Sequence, residues 1–287
     1  MKKDLFSIGD FTIHGYGVMI GIGFLLALVV GTYRAKKMKM DDEAITDLAI
    51  IAIVTGFMGS KLLYVITEFQ AFLKEPLAVL GSSGFVVYGG IISGTICCMI
   101  YCKVKKLNFM EYFDLVMPEV AIAQGIGRIG CFLAGCCYGR ETDSAIGVVF
   151  PVDSMAPSGV KLIPTQLFSA AGDILMAVIL IVVAHKFSYS AVAARSMTRV
   201  KADANNKDAS QDAEEEREVV FTEKHLCRGD IGCIYMILYG VGRFVIEFFR
   251  ADERGAVGLL STSQFISVFV VALGVTLLIY NRKNLKK

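Results

Sequence analysis

Seven stretches of about 20 predominantly apolar residues recur along this chain, and no other feature restricts its fold so strongly. They cover residues 14–33, 47–66, 85–102, 114–135, 164–185, 230–249 and 260–280. Lipid offers no partners to backbone N–H and C=O groups, so a segment that crosses it must be a helix or part of a closed barrel. No strand-length alternation repeats here, which leaves helices. The rest of the composition agrees. The chain is 55% hydrophobic, 20% charged and free of Trp, with a mean hydropathy of +0.58. A net charge of +2 in short clusters argues against a nucleic-acid partner. The expected fold is an all-α integral membrane bundle of about seven transmembrane helices, one polytopic domain over residues 1–287, with a lipid bilayer as its solvent. No second half repeats the first, so the inverted repeats of many transporters are not expected.

The basic residues orient the bundle. Connections after the first, third and fifth spans, together with the C-terminus, carry 19 Lys and Arg residues, and the opposite side carries seven. Cytoplasmic loops are the basic ones, so the N-terminus is expected outside and the C-terminus in the cytoplasm. Met1 to Lys3 looks like the basic start of a signal peptide, but Asp4 and Asp10 interrupt it, and it is read as uncleaved. Residues 67–84, broken by Pro76, are expected to form an outer interfacial arm. Residues 136–163, rich in Gly, Pro and Ser, should make a small extracytoplasmic cap, and the polar stretch 188–226 a mobile cytoplasmic loop.

Charges within the apolar runs carry the functional information. Lys61, Glu119, Arg128, Asp173, Arg243 and Glu247 each cost several kcal/mol in lipid unless paired, hydrated or bound. Arg128 has Gln124 one turn back, glycines at 125, 127 and 130, and no acid three or four residues away. Its partner must come from another helix or from a ligand. Tyr239, Arg243 and Glu247 form a stripe at helical spacing that must face the bundle interior. A simple Arg243–Glu247 pair would explain part of that stripe. Two guanidinium groups that accept phosphate in a bidentate fashion explain more of the pattern, and the ligand they imply is an anionic lipid. Tyr16 and Tyr88, each beside glycine near a span end, are either interfacial aromatics or part of the same site.

Eight cysteines do not make a secreted disulfide framework, because Cys97, Cys98 and Cys102 share one apolar run. The group Cys131, Cys136 and Cys137 lacks a fourth ligand at zinc spacing, so packing or an incidental disulfide is the favoured reading and no metal is expected. Neither a Gly-x-Ser-x-Gly elbow nor a His-Glu-x-x-His helix occurs, which removes the serine hydrolases and zinc proteases.

The string Gly127-Arg128-Ile129-Gly130-Cys131-Phe132-Leu133-Ala134-Gly135-Cys136-Cys137-Tyr138-Gly139 resembles the signature of the bacterial prolipoprotein diacylglyceryl transferase family. Further segments resemble its motifs in order. They are Tyr16-Gly17, Gly59 to Tyr64, Tyr88-Gly89-Gly90, Pro164 to Leu167, and Tyr239-Gly240-x-x-Arg243-x-x-x-Glu247. The resemblance implies a seven-helix enzyme of the bacterial cytoplasmic membrane, with its active site towards the outer leaflet and no cofactor. It would move diacylglyceryl from phosphatidylglycerol to the lipobox cysteine thiol of a prolipoprotein, releasing glycerol phosphate. Arg128, Arg243, Tyr88 and Tyr16 would then be catalytic, and Gln124, Tyr239, Glu247 and Gly139 would join both arginines in holding the headgroup. A monomer is expected.

The chain departs from the family pattern in several places. Tyr88 stands where a histidine is usual, Cys131 where an asparagine is usual, and Phe168-Ser169 where Tyr-Glu is usual. A phenol with an ordinary pKa of about 10 is a poor general base at neutral pH, so Tyr88 is assigned to orienting the headgroup or thiol by hydrogen bonding. Two alternatives remain open at this level. One is a lipid binder or transporter that uses the arginines without chemistry, and the other is a paralogue acting on a different thiol or lipid.

Overall fold

A computed structural model describes residues 4–8, 11–82, 84–187, 226–252, 255–258 and 260–284. Strands β1 (Asp4–Ile8) and β2 (Phe11–His14) form an antiparallel hairpin that leads into α1 (Gly15–Lys37). Helix α2 (Glu43–Thr67) is followed by two six-residue helices, α3 (Phe69–Lys74) and α4 (Pro76–Gly81). Then come α5 (Val87–Val104), α6 (Phe109–Ala134), the pair β3 (Val148–Val149) and β4 (Lys161–Leu162), and α7 (Thr165–Phe187). Helix α8 (Asp230–Glu247), the pair β5 (Ala256–Val257) and β6 (Leu260–Ser261), and α9 (Thr262–Asn284) complete the order.

Six of these helices, α1, α2, α5, α6, α7 and α9, are long and apolar enough to cross a membrane. Helix α8 has the length of a short span and is set apart from the six by its three charged residues, Asp230, Arg243 and Glu247. The chain is a multi-pass membrane protein. Its helices outrun the apolar stretches that announce them. Helix α1, for example, continues through Arg34, Lys36 and Lys37, because intrahelical hydrogen bonding does not stop where lipid does. The N-terminal hairpin is an element that sequence patterning misses, its strands being too short to establish a period. The segment 188–226, expected to be a mobile loop, lies almost wholly outside the described residues.

Two compact units emerge, Met1–Val30 with Phe113–Lys287, and Gly31–Tyr112. In the second unit α2 packs on α5 through glycines. A side chain on Gly59 would collide with Ser93 and come within 2.6 Å of the Gly89 carbonyl oxygen. Ser93 Oγ donates 2.7 Å to the Thr55 carbonyl across the same crossing. In lipid, where apolar surface gains little by leaving the solvent, such close backbone approach is what holds helices together. The intramembrane charge of Lys61 is resolved locally. Its Nζ donates to the carbonyls of Ser82, at 2.7 Å, and Gly84, at 3.3 Å, and lies 4.9 Å from the Phe85 ring centre.

The first unit has its core between α6, α7 and α8, where Ala121, Met176, Ala177, Leu180, Ile231 and Tyr235 are buried together. Asp114 on α6 anchors α8 by its N-terminus, accepting from Gly229 N–H at 2.6 Å and Gly232 N–H at 2.8 Å. A carboxylate there satisfies otherwise orphaned donors and complements the helix dipole. Between α6 and α7 the chain folds over a separate small core of Phe150, Ala156 and Leu162, with Phe132, Tyr138 and Val160 packed on it.

Gly59→Val should force α2 and α5 apart and destabilise the chain by about 1–3 kcal/mol. The thermal unfolding midpoint in detergent is expected to fall, whereas Gly21→Ala, at a position with nothing within 4 Å, should leave it unchanged.

Candidate functional site

Arg128 and Arg243 come together in the first unit. A cavity of about 300 Å³ between α6, α7 and α8 is lined by Arg128, Asp173, Tyr239 and Arg243, with Phe168, Ser169, Leu175, Met176, Ile179 and Leu238 among its remaining walls. Asp173 lies within electrostatic reach of both guanidinium groups.

Small residues make this convergence possible. A methyl group on Gly125 would lie 2.8 Å from Ile174 Cγ1, so glycine lets α7 approach α6 one turn from Arg128. Gly130 plays the same part towards α1, where an added Cβ would sit 3.1 Å from Met19 and 3.2 Å from the Tyr16 ring. The α6 backbone is thereby wedged between α1 and α7, and Arg128 extends into the space that remains.

The two arginines differ in their surroundings. Arg243 is held from both sides, with Nη1 3.0 Å from Glu247 Oε2 and Nη2 donating 2.9 Å to Ser263 Oγ on α9. Among the described residues no carboxylate comes within ion-pair distance of Arg128, whose electrostatic neighbours are Tyr239, Cys131, Cys137 and Asp173. One cation is therefore positioned by protein groups and the other is left available to an anion.

The remaining sequence candidates divide. Tyr239 lines the cavity and stacks on Tyr235, with ring centres 5.7 Å apart at 12°. Gln124 does not line it; its Oε1 accepts a 2.9 Å hydrogen bond from Tyr235, which ties α6 to α8 just below the arginines. Glu247 is engaged with Arg243 and does not line the cavity either. Tyr16 stands at the start of α1 against Gly130, within electrostatic reach of Arg128. Tyr88 opens α5 in the second unit and is not among the lining residues. Gly139 acts through backbone. It donates to the Ile163 carbonyl at 2.9 Å and bridges to Arg250, while Arg140 N–H donates 2.9 Å to Phe249. A Cβ there would come within 2.8 Å of both Ile163 and Phe249 atoms.

Sequence reasoning left Asp173, Tyr235 and Ser263 out of the site. Asp173 was visible as an intramembrane charge, but Ser263 and Tyr235 carry no distinguishing signal in a linear sequence.

At the end of α6 the chain turns through Gly135, at φ +74°, into Cys136 and Cys137. Gln166 Nε2 and Thr165 Oγ1, both buried at the start of α7, each donate 2.7 Å to the carbonyls of Cys136 and Cys137 respectively. The sulfur atoms of Cys131, Cys136 and Cys137 all lie within 4.8 Å of one another. Hydrogen bonds from Cys131 and Cys136, aided by the Arg250 guanidinium, hold the Cys137 thiol well below the usual thiol range. Hydrogen bonds with Cys131 and Cys137, together with burial, push the Cys136 thiol up.

Known proteins give the cavity a context. The family model described as prolipoprotein diacylglyceryl transferase matches residues 3–200 and 218–280. The chain is 40% identical over 277 residues to the phosphatidylglycerol--prolipoprotein diacylglyceryl transferase of Clostridium tetani, covering 96% of each protein. It is 38% identical to the second such transferase of Clostridium perfringens, covering 100% of this chain and 97% of that one. The corresponding protein of Finegoldia magna is 29% identical over 289 residues.

Gly139→Ala should loosen the seam between the signature loop and the end of α8. Limited proteolysis is expected to cut within residues 135–164 faster than in the unaltered chain, with the helices remaining intact.

Proposed function

This chain belongs to the prolipoprotein diacylglyceryl transferase family, and from that premise we propose that it transfers diacylglyceryl from phosphatidylglycerol to the cysteine thiol of a lipoprotein precursor, with glycerol phosphate as the second product. The observation that carries the reading is the cavity into which Arg128 and Arg243 both project. A phosphodiester is the anion that suits two guanidinium groups, and a lipid is the molecule that can reach them from the bilayer.

The reaction is a displacement at the glycerol carbon bearing the phosphate ester. The precursor's sulfur forms the new bond to carbon, the carbon–oxygen bond breaks, and its electron pair leaves on the phosphate. Arg128 meets the growing negative charge, and Arg243, braced by Glu247 and Ser263, holds a second phosphate oxygen. In a site with little water such preorganised donors contribute several kcal/mol to the transition state. Asp173 accepts the hydroxyl groups of the terminal glycerol, and the apolar walls formed by Phe168, Leu175 and Ile179 accompany the acyl-bearing part. Tyr16 and Tyr239 orient the headgroup. Gln124 and Gly139 serve the site by holding α8 and the signature loop in place.

We place the protein in the bacterial cytoplasmic membrane with the cavity opening towards the outer leaflet; the excess of Lys and Arg in alternate connections supports the C-terminus lying inside. We assign the lipobox cysteine of the precursor as the acceptor and a monomer as the working form.

The test uses purified protein, labelled phosphatidylglycerol and a lipobox peptide, beside the same peptide with Ser in place of Cys. A thioether product from the Cys peptide alone is expected. Flux of lipid or anion without consumption of phosphatidylglycerol would replace the enzyme by a transporter. Arg128→Gln should lower the rate by at least about 100-fold while the protein still inserts and keeps its unfolding midpoint. Full activity in that variant would overturn the assignment.

A further inference from the structure

The thiol cluster beside the cavity has no part in the mechanism so far, yet its construction is that of a binding site. Cys131 occupies the last turn of α6, and the chain returns to it at once, Cys136 N–H donating 3.1 Å to the Cys131 carbonyl. Cys137 adopts φ +63°, a conformation rarely taken by residues other than glycine. Buried Gln166 and Thr165 fix the carbonyls of Cys136 and Cys137, so the backbone beneath two of the sulfurs is set by α7. With that backbone fixed, the directions open to the Cys136 and Cys137 sulfurs are limited to their side-chain rotamers. Thiolates around one tetrahedral zinc stand about 3.8 Å apart, given Zn–S near 2.3 Å, and sulfurs already within 4.8 Å reach that spacing by small side-chain rotations.

We propose that Cys131, Cys136 and Cys137 form a three-thiolate site for Zn²⁺ whose open fourth position takes the thiol of the incoming precursor, an inference that rests on the transferase reading above. Among the described residues no other His, Cys, Asp or Glu joins the cluster. The missing fourth ligand, which speaks against a closed structural site, is the normal state of a zinc site that does chemistry. Three thiolates and one Zn²⁺ carry a net negative charge, and the Arg250 guanidinium, hydrogen-bonded to Cys137 and to Asp252, stands beside them. Cys131 is three residues from Arg128 on α6, and Tyr16 lies within electrostatic reach of all three cysteines. The nucleophile would thus be generated next to the cavity that binds the leaving group.

The step balances without an oxidant or reductant. The precursor's S–H loses its proton to water on binding zinc, because a coordinated thiol is deprotonated outright. A sulfur lone pair then forms the S–C bond as the C–O bond breaks towards phosphate. The neutral thioether that results is a weak ligand and leaves the zinc, which remains Zn²⁺ throughout.

The test uses the full chain, purified in detergent with its thiols reduced and trace metal removed by chelation. Zn²⁺ titrated against a chromogenic chelator is expected to bind stoichiometrically, and Co²⁺ in its place should show sulfur-to-metal charge-transfer absorption. Cys136→Ser and Cys137→Ser should each lose stoichiometric Zn²⁺ binding, and Cys97→Ser on α5 should keep it. Adding the lipobox Cys peptide should shift the Co²⁺ spectrum, and the Ser peptide should not. Removing zinc should slow lipidation at least about 10-fold, reversed when Zn²⁺ is restored.

Binding no tighter in the unaltered chain than in Cys136→Ser, or undiminished lipidation by zinc-free protein, would overturn the zinc site and leave the transferase intact. Stoichiometric zinc with no consumption of phosphatidylglycerol would do the reverse, removing the substrate role and the transferase reading together. Recovery of any two of the three cysteines as a disulfide that resists reduction would also end the proposal.

Discussion

A guanidinium group inside an apolar helix is the constraint on which the architecture of the first unit depends. Arg128 lines a cavity between α6, α7 and α8 and is not directed away from the bundle. Its charge must be met where it stands, at a cost of about 2.5–3.5 kcal/mol on insertion scales if it is not. Among the described residues Arg128 has Asp173 in electrostatic reach and no carboxylate in contact. The surrounding elements can be understood as an arrangement that makes this tolerable and useful. Gly125 and Gly130 bring α7 and α1 close, Asp114 fixes the start of α8, and Tyr235 locks α8 to Gln124. Arg243 is delivered to the same cavity as a result.

The asymmetry between the two arginines has a chemical logic. On the proposed mechanism, Arg128 meets charge appearing in the transition state, and such a group should not be neutralised beforehand. A group that sets the geometry of the ground state benefits from fixed partners, and Arg243 has Glu247 and Ser263. Breaking a buried pair such as Arg243 with Glu247 leaves an uncompensated charge, so Glu247 matters for positioning although it does not line the cavity.

Much of this was legible in the linear sequence, for physical reasons that also explain what was not. Apolar runs disclose all seven spans, α8 included, because lipid demands them. Arg128 and Arg243 disclose themselves by cost. Gly139 is marked by its motif, but its role, a backbone seam with Ile163 and Phe249, depends on elements far apart in the chain. Ser263 and Tyr235 are ordinary residues until a neighbouring helix places a partner opposite them. Gln124 is visible as a polar residue one turn from Arg128, but only the tertiary structure shows its oxygen accepting from Tyr235. The N-terminal hairpin is too short to leave a period. The cysteine trio is judged poor by spacing, since spacing cannot show that the chain reverses at Gly135 and brings the sulfurs together.

The central claim is that Arg128 and Arg243 grip one phosphate. A double-mutant cycle on binding of phosphatidylglycerol, comparing Arg128→Gln, Arg243→Gln and the pair with the unaltered chain, measures it most directly. If both arginines hold the same group, the losses are coupled by about 1 kcal/mol or more, the double variant binding tighter than the sum of single losses implies. Strictly additive losses would mean that each arginine acts on a separate part of the ligand or on none, and would contradict the account.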